Sequence, residues 1–125
     1  MSFLLVFLGG GAGASLRYVS AQWIGRLVGP GFPAGTMTVN VVGSLAMGLL
    51  IGYLARRAEG VGEGARLLLA TGFLGGFTTF SAFSLDFADL WERQAMQAAL
   101  IYAVLSVILS IIAVFVGLWL ARSLP

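Results

Sequence analysis

The chain contains no cysteine and no histidine, and only 10% of its residues are charged. Without thiols or imidazoles it forms no disulfide, and it lacks the commonest nucleophiles, general bases and transition-metal ligands of enzymes. The seven basic residues are all arginines, spread along the chain without any basic run, so nucleic acid is not an expected partner. An enzyme is therefore the least expected class of function.

Apolar residues dominate instead, with 59% of the chain hydrophobic and a mean hydropathy of +0.99. This balance lies far above that of soluble globular domains. Four apolar stretches each reach the roughly 20 residues that span a bilayer: Phe3–Trp23, Gly35–Ala55, Leu67–Phe87 and Ala95–Ala121. The sequence therefore predicts an all-α membrane protein, with residues 1–125 forming a single four-helix transmembrane domain. We expect it as a multi-pass protein in the lipid bilayer of the inner (plasma) membrane.

The charged residues give only a weak indication of orientation. An even number of spans places both termini on one side, where four arginines are expected against two on the other side: Arg56, Arg57, Arg66 and Arg122 against Arg26 and Arg93. This difference is a slender basis for the positive-inside rule. The acidic residues Asp86, Asp89 and Glu92 recur every third position, and we expect them to form a solvated, interfacial helix face.

The third apolar stretch is interrupted by glycines and threonines in residues 72–83, GFLGGFTTFSAF. Irregular backbone at membrane depth persists only where protein buries it or where an aqueous path passes, and such breaks often mark ion or substrate sites. We therefore expect the third helix to be broken near its middle. Thr79 and Ser81 offer hydroxyls there. Phe80 and Phe83 offer ring edges that attract anions, although packing against lipid or core is the plainer role for such rings.

Other polar side chains are predicted inside the remaining spans. Asn40 in the second span has two donors and one acceptor, and interhelical hydrogen bonding is its structural alternative. Tyr102, Ser106 and Ser110 follow at four-residue spacing and form one hydroxyl stripe on the fourth helix. A serine can also bond its own helix backbone. Arg17 either extends to the membrane interface or gives a vestibule positive potential.

Small residues recur at four-residue spacing, which allows close approach of helices in lipid. Gly9 and Gly13 do so in the first span, and Ser44, Gly48 and Gly52 in the second. Because four helices this rich in glycine bury little surface alone, we expect an oligomer. Packing wholly within one subunit is the alternative.

Three motifs resemble the signatures of the Fluc (CrcB) family of fluoride channels. They are GGAGASLRY at residues 10–18, GTMTVNVVG at residues 35–43 and GFLGGFTTFSAF at residues 72–83. The chain length and the four spans agree with the resemblance. Met37 and Ala82 depart from the commonest family pattern without touching the residues named below.

The resemblance implies a dual-topology homodimer whose antiparallel subunits form two pores that export fluoride passively. It assigns the fluoride pathway to polar and aromatic residues of the last three spans: Asn40, Thr79, Phe80, Ser81, Phe83, Tyr102, Ser106 and Ser110. It assigns Arg17 to a vestibule. It further implies a structural sodium ion (Na+) on the dimer axis, held by the backbone carbonyls of Gly75 and Thr78.

Two other classes of function remain open from the sequence. A proton-coupled small multidrug-type exporter is also a four-helix antiparallel dimer, but it needs a membrane-embedded carboxylate, and no acidic residue occurs in the predicted spans before Asp86. A non-transporting membrane assembly subunit would use the polar stripes only to hold helices together. For such a subunit, Asn40 would be dispensable for ion flux.

Overall fold

A computed structural model describes residues 2–57 and 62–124 of the chain. Three of the spans are continuous helices, namely α1 (Ser2–Val28), α2 (Ala34–Arg56) and α6 (Met96–Ser123). The third span, Glu63–Glu92, is divided. It comprises α3 (Glu63–Arg66), a π-helix (Leu67–Leu74), α4 (Gly75–Phe77) and α5 (Phe80–Glu92). Within the described residues, four helical segments are long and apolar enough to cross a membrane, which confirms the prediction of four spans.

The helices are longer than the apolar runs that predicted them. α1 continues past Trp23 to Val28 and ends at Gly29, whose φ of +98° favours glycine and whose N–H donates to the Gly25 carbonyl at 2.8 Å. The third span begins at Glu63 rather than Leu67. Helices extend beyond their apolar residues because backbone hydrogen bonding continues wherever no residue breaks it. Residues 58–61, between α2 and the third span, lie outside the described residues.

The predicted break in the third span lies at Thr78 and Thr79. Both residues are extended, with ψ of 157° and 126°, between the end of α4 and the start of α5. Thr79 caps α5, because its Oγ1 accepts a hydrogen bond from the Ala82 N–H at 3.1 Å. The break therefore has a local cause in the sequence, since a threonine with this backbone conformation begins a new helix rather than continuing the old one.

Two helix pairs form the framework, and glycines bring their backbones together. The parallel helices α2 and α6 touch at Gly48, where an added Cβ would lie 2.9 Å from the Leu118 amide nitrogen. α1 packs against the first half of the third span (residues 63–77). An added Cβ at Gly13 would lie 2.9 Å from the Phe77 amide nitrogen. These small residues thus pack helices against one another inside one subunit, while the expected oligomer stays a prediction.

The π-helix Leu67–Leu74 is a feature that the sequence analysis did not predict. Its last turn is closed by the Gly75 N–H, which reaches back five residues to the Ala70 carbonyl. Such wide turns are rare and occur mostly near functional sites. Here the π-helix lies against α1 and leads directly into the broken part of the span.

Candidate functional site

A cleft of about 300 Å³ lies between α2, the break and α6. Six of the eight predicted pathway residues line it together with four others. The predicted ones are Asn40, Thr79, Phe80, Phe83, Ser106 and Ser110, and the others are Ser44, Thr78, Val107 and Ile111. Residues from three separate parts of the sequence therefore converge on one cleft. None of these lining residues is charged.

Asn40 holds the break in place. Its Nδ2 donates to the Thr79 carbonyl at 2.9 Å, and its Oδ1 accepts from the Thr79 N–H at 2.7 Å. The carboxamide thus satisfies both backbone groups of this extended residue, which is necessary because freed backbone groups are costly at membrane depth. One Nδ2 hydrogen stays outside this pair of bonds. Asn40 therefore has the structural role that the sequence left open, and it also borders the cleft.

The hydroxyl stripe of α6 is divided between the cleft and the protein core. Ser106 lines the cleft, is only 4% exposed, and its Oγ has no hydrogen-bond partner among the described residues. Ser110 lines the cleft one turn further along. Tyr102 does not line it, although it was predicted in the same stripe. Its ring is fully buried, and its hydroxyl donates to Asp86 Oδ2 at 3.0 Å.

The two phenylalanines differ in their surroundings. Phe80 is 75% exposed, whereas Phe83 is partly buried, and their ring centroids are 5.4 Å apart. The Phe83 ring lies 5.1 Å from the Tyr102 ring. Phe83 thus packs between the cleft and the core around Tyr102, while Phe80 projects from the subunit surface. This geometry agrees with packing against the core for Phe83, whereas the exposed Phe80 ring is open to lipid or to a second copy of the chain.

The acidic residues of α5 do not form the uniform, solvated face that the sequence predicted. Asp86 is partly buried and accepts the Tyr102 hydroxyl, so for this residue the expectation was wrong. Its position facing α6, rather than its spacing from Asp89, determines the contact. Asp89 is exposed and pairs with Arg93 at 3.2 Å, and Glu92 is exposed, as expected of an interfacial face.

Ser81, the remaining predicted pathway residue, is exposed and does not line the cleft. Its Oγ lies 3.3 Å from Thr79 Oγ1. Ser81 therefore stands beside the cap of α5, near the cleft but outside its lining.

Arg17 lies against the break. Its Nε donates to the Gly76 carbonyl at 3.0 Å, at the end of the helical first half of the third span. A cation at a helix C-terminus is favourable because the helix dipole is negative there. Arg17 also lines a second cleft of about 270 Å³, which includes Thr36 and Thr79. The guanidinium thus contacts protein and borders a cavity that Thr79 also lines.

Two backbone carbonyls at the break lose the partners that a continuous helix would give them. The Thr79 N–H would bond the Gly75 carbonyl in a regular helix, but it donates to Asn40 instead. The Ala82 N–H would bond the Thr78 carbonyl, but it donates to Thr79 Oγ1. Gly75 and Thr78 are the two residues from which the resemblance predicted sodium ligands.

The sequence analysis missed three residues of the cleft: Ser44, Val107 and Ile111. It treated Ser44 as a small packing residue. The signal that identifies Ser44 is its position one turn after Asn40 on the same helix face. Val107 and Ile111 each follow a cleft serine directly and carry no chemical signal of their own.

Comparisons with known proteins agree with the three motifs. The sequence profile of the family described as "CrcB-like protein, Camphor Resistance (CrcB)" matches residues 4–118. A relative from Mesorhizobium japonicum, named as the fluoride-specific ion channel FluC, is 60% identical over 124 residues, covering 99% of this chain and 98% of the relative.

Two more relatives carry the same name. That of Chelativorans sp. is 60% identical over 121 residues, with 97% of this chain and 96% of the relative covered. That of Hyphomonas neptunium is 55% identical over 120 residues, with 96% and 94% covered. These relatives are named as ion channels, so the expectation that the chain is not an enzyme agrees with its relationship. The family predicted from the motifs is confirmed: the chain belongs to the CrcB-like family.

Proposed function

We propose that the protein is a fluoride-specific channel that passes fluoride passively, down its gradient, and thereby lowers cytoplasmic fluoride. The observation that carries this proposal is the uncharged cleft at the broken helix, which is lined by Ser106, whose buried hydroxyl has no partner within residues 2–57 and 62–124. An unpaired buried hydroxyl costs roughly 1–3 kcal/mol. An anion that accepts its hydrogen removes this cost. The names of the relatives support fluoride as that anion.

The chemistry of the cleft suits a small and strongly hydrated anion. A selective pore replaces part of the hydration shell while binding weakly enough to release the ion. Ser106, Ser110 and the remaining Nδ2 hydrogen of Asn40 are neutral donors, and the Phe80 and Phe83 ring edges add weak positive potential. Since no fixed cation lines the cleft, no ion pair holds the anion in place.

The channel is proposed as an antiparallel, dual-topology homodimer with two pores in the inner membrane. Support comes from Phe80, which is a pathway candidate and yet 75% exposed on the single subunit. A second copy against this surface buries the ring and closes the cleft laterally. The near-even distribution of arginines supports insertion in both orientations, because neither side has a strong positive excess.

A structural sodium ion is proposed at the break, held by the carbonyls of Gly75 and Thr78. Both carbonyls have lost their regular helix partners to Asn40 and Thr79, as described above. Hard cations take oxygen ligands, so these residues fit the ion. In a two-fold dimer the same pair from each subunit gives four oxygens around one ion.

Fluoride efflux from liposomes tests the proposed function. Purified protein should release fluoride from loaded vesicles much faster than chloride, without an imposed proton gradient. Equal release of both halides, or release that requires a proton gradient, would contradict a passive fluoride channel. The second result would favour an exporter.

Sodium dependence of stability tests the proposed metal site. The melting temperature of the purified protein should rise with sodium concentration and stay constant with potassium at the same ionic strength, because ligand binding to the folded state alone stabilises it. Identical curves in the two salts would rule out a sodium site but leave fluoride conduction untouched.

A further inference from the structure

The polar residues that α2 and α6 present to the cleft form a row, which we call the polar lane. The register between the two helices shows which of these residues face each other. A Cβ added at Gly48 would lie closest to Val114 and Leu118 of α6. A Cβ added at Gly52 would lie closest to Leu118 and Ala121. Moving one turn along α2 therefore moves the contact one turn along α6. The two helices run parallel, with a constant sequence offset between facing residues.

The same offset pairs the polar residues of the two helices. Gly48 faces Val114. The residues one turn earlier on each helix are Ser44 and Ser110, so the offset places them opposite each other. The residues one further turn earlier are Asn40 and Ser106, which are paired in the same way. All four polar residues line the 300 Å³ cleft, as this register requires. The polar lane between α2 and α6 thus consists of two successive pairs, and Ser44 belongs to the second.

We infer that Ser44 is a further anion-contacting residue of the pathway, acting opposite Ser110. This inference rests on the proposed function. The two threonine hydroxyls of the cleft already have protein partners. Thr78 Oγ1 donates to the Leu74 carbonyl at 3.0 Å. Thr79 Oγ1 accepts the Ala82 N–H and lies 3.3 Å from Ser81 Oγ. Ser44 adds a neutral donor on the α2 side of the cleft. Asn40, on the same side, uses its Oδ1 and one Nδ2 hydrogen to bind Thr79.

The packing beyond Ser44 gives this residue a particular place in the lane. At Gly48 the backbones of α2 and α6 touch, and a Cβ at Gly117 would lie 2.7 Å from the Leu49 amide nitrogen. An anion cannot continue between the two helices past this point. The pair of Ser44 and Ser110 is therefore the last donor pair between the two helices before this backbone contact.

Fluoride efflux from liposomes tests the role of Ser44 through Ser44→Ala. Removing a hydrogen bond to a charged group costs about 1.5 kcal/mol or more, so flux should fall on the order of tenfold if the anion meets this donor. Ser110→Ala should have a similar effect, and the double variant should lose less than the product of the two losses. Ser123→Ala is the matched control, because that hydroxyl is exposed and bonded to the Trp119 carbonyl.

Normal flux in Ser44→Ala alongside impaired flux in Ser110→Ala would overturn the inference and leave the proposed function standing. A wild-type protein that does not prefer fluoride would instead overturn the proposed function. A hydroxyl of Ser44 that only bonds its own helix predicts the first of these results.

A thiol reporter keeps the inference testable even if Ser44→Ala does not fold. The chain has no cysteine, so Ser44→Cys introduces a single thiol. Methyl methanethiosulfonate should modify it and reduce fluoride efflux severalfold, while Ser123→Cys should be modified without loss of flux. A Ser44→Cys protein that is unmodified, or modified with unchanged flux, would show that Ser44 lies outside the pathway.

Discussion

The two halves of the third span are built for different tasks. Residues 63–77 lie against α1, with backbone on backbone at glycines such as Gly13 and Gly76, so they have little freedom to move. α5, beyond the break, presents large side chains to the outside, among them Phe80 and Leu85 at 75% and 70% exposure. The first half anchors the span, and the second half brings its side chains to the cleft. Asn40 joins the two at Thr79.

Breaking the joint between the halves should have the largest effect. Asn40→Leu leaves the N–H and the carbonyl of Thr79 unpaired, at about 1–3 kcal/mol each. We expect a lower melting temperature and fluoride efflux reduced at least tenfold. Val42→Leu is the matched control, because it also adds a leucine to α2 at a position that is 49% exposed. Unchanged stability in Asn40→Leu would show that the clamp does not hold the break.

A methyl group placed in the anchored half should come next. Gly13→Ala puts a Cβ 2.9 Å from the Phe77 amide nitrogen, and overpacking of this kind costs about 1–3 kcal/mol. Gly11→Ala, two residues away, meets no atom within 4 Å. Thermal unfolding in detergent should therefore separate the two variants. Equal melting temperatures would mean that the backbones of α1 and residues 63–77 are farther apart at Gly13 than the structure shows.

Aromatic substitutions sharpen the contrast, since they should affect flux more than stability. Phe80→Ile and Phe83→Ile should each lower fluoride efflux at least tenfold, which corresponds to about 1.4 kcal/mol. Stability should stay constant for the exposed Phe80 and fall by about 1 kcal/mol for Phe83, which loses its contact with the Tyr102 ring. Leu85→Ile is the control on α5. Normal efflux in both phenylalanine variants would reduce the rings to packing.

The smallest expected effect concerns the cap of α5. Thr79→Val removes the hydroxyl that accepts the Ala82 N–H, and the loss of such a cap costs about 1 kcal/mol. Thr79→Ser keeps the hydroxyl and should restore the melting temperature. A valine variant as stable as the serine variant would show that the extended backbone of Thr79 depends on Asn40 alone.

Much of the site was accessible from local pattern. The four spans follow from apolar length, and the break follows from glycine and threonine in a membrane segment. The grouping of Asn40, Thr79 and Ser106 in one pathway was predicted from the resemblance of the motifs to the family. The contact between Tyr102 and Asp86 was not predicted, because a helix stripe gives the face of a residue but not the element that packs against it.

Sequence alone determined that this chain spans a membrane with four helices, that the third is interrupted, and to which family it belongs, because these depend on hydropathy, local backbone preference and motif. Tertiary structure decided which polar side chains are hydrogen-bonded to other parts of the protein and which are not. Asn40 is bound to Thr79, Tyr102 is bound to Asp86, and Ser106 has no partner among the described residues. Hydrogen bonds between residues far apart in the chain depend on how the helices pack, and only the fold brings those residues together.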